Sequence, residues 1–114
     1  MAIARFDEDA RHIVTVASIG NIAVRVIGSQ GQTSVISRRG VVGLGTPQAL
    51  VTPCPWTPAS VLIMHSDGVQ SRWAWSDFPD LARQPASWVA RRLLSTLGKD
   101  DDDATALVVR GVAL

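Results

Sequence analysis

Two apolar runs each meet an acidic turn, and that pattern limits the fold more than any other feature of the chain. Val61-Leu62-Ile63-Met64 closes on His65-Ser66-Asp67-Gly68, and Asp100-Asp101-Asp102-Asp103-Ala104-Thr105 opens Ala106-Leu107-Val108-Val109. A short continuous apolar run bounded by turn residues reads as a buried strand. Each run therefore sets an acid where a buried strand meets a turn. Two such strand ends side by side would hold two carboxylates on fixed backbone, an arrangement that suits hard divalent cations. Each turn also has an ordinary reading. Asp67-Gly68 is a common turn pair, and Asp100 to Asp103 can be a solvated acidic turn whose internal repulsion is modest in water.

The rest of the chain is punctuated for strands. Ala2 to Phe6 and His12 to Ser18 read as strands, the second rich in β-branched residues. Ile22, Val24 and Val26 alternate with Ala23, Arg25 and Ile27, the period of two expected of a strand. Gly28-Ser29-Gln30-Gly31 is a turn signal that joins this strand to Thr33–Ser37 as an antiparallel hairpin. Arg38 to Pro47 reads as a loop, Gln48 to Thr52 as a further strand, and Pro53, Pro55 and Pro58 as a rigid turn. Ser60 to His65 reads as a strand buried on both faces, and Thr105 to Arg110 as the last strand. One helix stands out over Ala86–Leu97, with Pro85 suited to its first position, Gly98 to its C-cap, and Val89, Ala90, Leu93, Leu94 and Leu97 on one face. Arg91 and Arg92 then fall on a solvated surface. Mostly antiparallel strands with one long helix give an α+β class. No repeat or linker divides residues 1–114, so they read as one unit.

Composition narrows the function classes. With 114 residues and 46% hydrophobic residues, the chain can bury very roughly two-thirds of its unfolded surface and is not a disordered segment. A net charge of +1 with no Lys/Arg block gives little support to nucleic-acid binding. The single cysteine, Cys54, excludes an internal disulfide and a cysteine-based metal cluster, and between Pro53 and Pro55 it reads as a packing residue. Acids at Asp7-Glu8-Asp9 leave no apolar segment for a signal peptide, and no window of about 18 apolar residues spans a membrane. A cytoplasmic protein is the default expectation.

The remaining reactive residues point to little chemistry by themselves. His65 on an apolar strand reads as a satisfied core histidine, and His12 as a surface residue. Ser66 has no base partner in the pattern, so a serine nucleophile is unsupported. The glycines of Arg38 to Pro47 do not form a phosphate loop, and no lysine follows them. Trp73, Trp75 and Trp88 read as core or interface aromatics.

Taken together, these residues resemble a family. Val61-Leu62-Ile63-Met64-His65-Ser66-Asp67-Gly68-Val69, a helix, then Asp102-Asp103-Ala104-Thr105 before an apolar strand is similar to the end of the metal-dependent serine phosphatases of the PPM type. The likeness is to the stage II sporulation protein E and sigma-factor-regulator group. Ala17-Ser18-Ile19-Gly20-Asn21-Ile22 looks like that family's small-x-Gly-Asn strand, and Arg39-Gly40-Val41-Val42-Gly43 like its next Gly-rich segment. The resemblance covers residues 13–110. It implies an α-β-β-α sandwich with two Mn²⁺ or Mg²⁺ ions and a metal-activated water that hydrolyses phosphoserine or phosphothreonine. By the family pattern Asp67 and Asp102 are ligands to one metal. Gly68 supports that turn, and Asp103 stands where relatives often carry asparagine, supporting at most. The family's Asp-Gly-x-Gly-x-Gly turn is missing, so the chain resembles the C-terminal half of the domain.

Three readings follow. The expected one is a phosphoprotein phosphatase, incomplete in this chain; the resemblance implies a substrate of the anti-sigma-factor antagonist class that relatives often act on. The alternatives are a catalytically inactive module that binds a regulator, and a β-rich domain that covers its exposed sheet with a missing N-terminal half or a second copy as partner.

Overall fold

Alternation along the strands sorts the side chains into layers. The computed structural model describes residues 1–6, 12–18, 20–28, 31–35, 50–100 and 102–111. Among them lie β1 (Ala2–Phe6), β2 (Ile13–Ser18), β3 (Ala23–Gly28), β4 (Gly31–Val35), β5 (Leu50–Pro55), β6 (Val61–His65), α1 (Ala86–Leu97) and β7 (Ala106–Arg110). The strands form two antiparallel sheets, a three-stranded one in the order β1-β2-β5 and a four-stranded one in the order β4-β3-β6-β7. The expected hairpin is present, with Val26 opposite Thr33 and Gly28 opposite Gly31. The Arg38–Pro47 loop, with the Gly-rich segment of the resemblance, lies outside the described residues.

The two sheets face each other across one apolar core. Val14, Val16 and Cys54 from the first sheet meet Val24, Val26, Leu62 and Met64 from the second. Cys54 does pack there, and burial pushes its thiol pKa up. The other side of the four-stranded sheet makes a second core. Ile27, Val61 and Ile63 pack against Val89, Leu93 and Leu97 of α1 and against Val69, Trp73, Phe78 and Leu81. Because β6 has a core on each side, all five of its residues are buried, as the sequence implied.

The helix spans the residues expected, but its ends differ in detail. Pro85 is the residue before the first turn, extended at φ −60 and ψ 156. Gly98 occupies the C-cap without a left-handed conformation, at φ −63 and ψ 137. Glycine is needed there for room: a Cβ at Gly98 would lie 2.5 Å from the Leu94 carbonyl oxygen, which accepts the Gly98 N–H at 3.0 Å.

β5 departs from the sequence reading. It runs on through Pro53 and Pro55, where a rigid turn was expected. The ladder explains why prolines are tolerated. Trp56 donates to the His12 carbonyl at 2.7 Å, and within an antiparallel ladder the groups facing one neighbour recur on every second residue. Positions 52 and 54 therefore face β2, while 53 and 55 face the open edge, where a missing N–H costs no ladder bond.

The expected layering is corrected on one side. Among the described residues helical cover lies over the four-stranded sheet. Among the described residues no helix packs on the outer face of β1-β2-β5, so the architecture is sheet, sheet, helix, rather than the four-layer sandwich flanked by helices.

Candidate functional site

The structure brings the two acidic turns together. Ser66 N–H donates to the Thr105 carbonyl at 3.0 Å, and Thr105 N–H donates to the Ser66 hydroxyl at 3.0 Å. Lys99 N–H donates to the Gly68 carbonyl at 2.8 Å, and Gln70 N–H to the Leu97 carbonyl at 2.9 Å. The segment 66–70 is thus threaded between the end of α1 and the start of β7. Gly68 is buried so tightly that a Cβ would fall 2.0 Å from the Asp103 carbonyl oxygen. Asp67, Asp102 and Asp103 are all exposed on the outside of this clamp. Among the described residues no group of three or more His, Cys, Asp or Glu side chains could hold a metal ion.

Beneath the clamp sits a buried cluster that sequence reasoning singled out only in part. His65 is 3% exposed. Its Nδ1 is 3.0 Å from the Ser66 carbonyl oxygen, and Trp73 Nε1–H donates to Nε2 at 3.4 Å. Both ring nitrogens are engaged when the proton is on Nδ1, so the core-histidine reading stands. Trp73 also meets Phe78 edge to face at 6.0 Å. Arg25 was missed. Its guanidinium lies 3.9 Å above the Trp73 ring and donates to the Trp73 and Ser71 carbonyls, the latter at 2.6 Å. The signal was present in Val24-Arg25-Val26, one charge on an otherwise apolar strand. Trp88 is 61% exposed and belongs to neither core.

The cluster makes stability depend on pH. Burial, with a smaller contribution from the Arg25 charge, lowers the His65 pKa from 6.5, and the Ser66 carbonyl partly offsets this. Below 6.5 the unfolded chain takes up a proton that the folded chain resists. Stability is therefore complete above 6.5 and falls as the pH drops toward the lower folded value. The urea midpoint should drop between about pH 7 and about pH 5, and His65→Gln should flatten that drop. An equal drop in the variant would assign the effect to other groups.

The second feature is the outer face of β1-β2-β5. The register puts Ile3, Ala17 and Val51 in one row, Arg5, Thr15 and Pro53 in the next, and Ile13 with Pro55 beyond. Ile3 is 56%, Val51 60% and Ile13 44% exposed. A sheet with one wet face ordinarily alternates apolar inward with polar outward. Here both faces are apolar, with Arg5 the lone charge outside.

Comparison with known proteins bears on both features. No protein-family model matches the chain, and no curated protein does. Among solved structures the chain is similar to one described as "The bacterial stressosome: a modular system that has been adapted to control secondary messenger signaling". The TM-score is 0.81 at 25% identity, over 96% of this chain and 57% of that one. The chain therefore spans little more than half the length of the structure it matches.

These findings correct the phosphatase resemblance. The match is to a stressosome structure, and no phosphatase family is matched, so the assignment as a PPM-type enzyme, a hydrolase and a metal-binding domain is withdrawn. The physical reason lies in what the motif residues do locally. Gly68 fits closely against the Asp103 backbone, and backbone hydrogen bonds of Ser66 and Gly68 join the two turns. Such a pattern is intelligible without a reaction. No helix among the described residues is long and apolar enough to cross a membrane.

Proposed function

We propose that the chain is a regulatory protein-binding and oligomerising module of a cytoplasmic signalling system. The observation that carries this reading is the apolar outer face of β1-β2-β5, on which no helix packs among the described residues. Ile3, Ile13, Ala17, Val51, Pro53 and Pro55 form a nearly uncharged surface on a rigid sheet. A face patterned for burial on both sides gains by associating with another protein surface. The likeness to a stressosome structure supports the regulatory role, since that system is described as modular and as controlling secondary-messenger signalling.

The test is light scattering over a concentration series, with Val51→Lys against the wild type. Val51 is 60% exposed, so lysine there costs the fold little. The wild type should run heavier than a monomer, and Val51→Lys should weaken that association by tenfold or more, on the order of 1.4 kcal/mol. Association unchanged in Val51→Lys would remove this face from the interface.

A further inference from the structure

We propose that β7 is a second, independent self-association strand, pairing antiparallel with β7 of another copy to join two four-stranded sheets. This deepens the oligomerising reading by naming a partner, and it rests on the sheet edge rather than on the sheet face.

The backbone groups of β7 divide between its two sides. Ser66 N–H bonds the Thr105 carbonyl, and Gly111 N–H bonds the Ser60 carbonyl at 2.8 Å. Both belong to the β6–β7 ladder that also pairs Met64 with Leu107 and Leu62 with Val109. Groups facing one neighbour recur on every second residue. Residues 105, 107, 109 and 111 therefore face β6. The N–H and C=O groups of Ala106, Val108 and Arg110 face outward, and among the described residues no strand pairs with them.

The four sheet edges are not equally exposed to pairing. β5 is blocked by Pro53 and Pro55. β4 is Gly-Gln-Thr-Ser-Val, a polar and glycine-led strand. β1 carries Arg5 near its centre. β7 is Ala-Leu-Val-Val-Arg, with β-branched valines at two of its five positions and its charge at the end. That charge is also turned inward, because the Arg110 guanidinium donates to the Leu81 carbonyl at 2.6 Å.

A second copy is the occupant the edge fits best, because the strand is complementary to itself. Centred on Val108, antiparallel pairing sets Val108 against its symmetry mate and Ala106 against Arg110, with no like charges opposed. All three outward-facing residues then fall in hydrogen-bonded positions, giving about six backbone hydrogen bonds across the two-fold. On the sheet face turned toward β1-β2-β5, Leu107 is 53% exposed, and this register lays Val109 of the other copy directly beside it.

The experiment uses two substitutions that spare the fold. Val108→Pro removes an outward N–H at a position where edge strands tolerate proline, and trims a half-buried side chain at the border of the helix-side core. Leu107→Lys charges a half-exposed side chain. Each is made alone and together with Val51→Lys, with mass measured by light scattering and amide exchange followed at Ala106, Val108 and Arg110. Two isologous surfaces should carry the wild type beyond a dimer. Val51→Lys should then stop at a dimer with those three amides protected; adding Leu107→Lys should leave a monomer in which all three exchange fast, and adding Val108→Pro a monomer in which the remaining two, Ala106 and Arg110, do. Val51→Lys that is already monomeric would overturn the β7 inference while leaving the sheet-face reading intact. Assembly indifferent to Val51→Lys but abolished by Val108→Pro would do the reverse. A wild type that stays monomeric at high concentration, or protection that appears only when an extended partner peptide is added, would overturn self-pairing.

Discussion

Gly68→Ala should unfold the chain under conditions where Asp67→Asn leaves it nearly unchanged. The added methyl would meet backbone rather than a movable side chain, at 2.0 Å from the Asp103 oxygen, 2.7 Å from its carbonyl carbon and 2.9 Å from Ala104 Cα. Relief requires the turn at Asp67-Gly68 to part from the turn at Asp102-Asp103. That movement strains the bonds from Ser66 to Thr105 and from Lys99 to Gly68. Overpacking of about 1–3 kcal/mol with the loss of one or two hydrogen bonds of ~1 kcal/mol gives roughly 3 kcal/mol or more. At ~4–8 °C per kcal/mol for a domain near this size, Tm should fall by roughly 10–20 °C. Asp67 is exposed, and its amide should shift stability by no more than about 0.5 kcal/mol. Thermal melts of the two variants decide the matter. Equal losses would mean that the aspartate, not the glycine, holds the turn.

Leu62→Ala should cost a comparable amount for a different reason. Leu62 is fully buried between the sheets, opposite Val26 on one side and Val109 on the other. It packs among Val14, Val16, Val24, Cys54 and Met64, which come from both sheets and cannot all close over a void. Truncating a buried leucine costs about 2–5 kcal/mol, a large share of the ~5–15 kcal/mol that holds a typical domain. Leu107→Ala is the control: the same chemical change two strands away from Val26, at a side chain 53% exposed, should cost under about 1 kcal/mol. Urea unfolding followed by tryptophan fluorescence separates them. Similar midpoints for the two variants would mean that the inter-sheet core is plastic enough to collapse.

Much of this architecture was legible in the residues. Alternation at Ile22 to Ile27, the unbroken apolar run at Val61 to Met64, and the three-four spacing of Val89, Leu93 and Leu97 each report a local period that burial enforces. Their positions held to within a residue or two of the observed ends. The two short 3₁₀ segments at Trp75–Asp77 and Pro79–Arg83 had no such period to betray them. They are held by one carboxylate, Asp77, accepting from the Ala74 N–H, and by Leu81 sinking into the core. The division of the strands between two sheets was equally silent, because it depends on which distant strand each edge meets. The acidic turns show the limit most plainly. Sequence located both turns, and by the family resemblance read Asp67 and Asp102 as ligands with Gly68 and Asp103 in support. The structure puts the load on Gly68 and on Ser66, whose backbone and hydroxyl make the joint.

Arg25 also acts as a guard on alignment. The β3 strand is a shared wall: Val24 and Val26 enter one core, while Arg25 and Ile27 look toward the other. A slip of one position along β6 would exchange the two sets and drive a guanidinium into the dry space between the sheets. Only the native alignment lets that charge rest on Trp73 and reach the carbonyls of Ser71 and Trp73. A single arginine thus works as a proofreader of strand pairing, rejecting misaligned intermediates by the cost of burying its own charge.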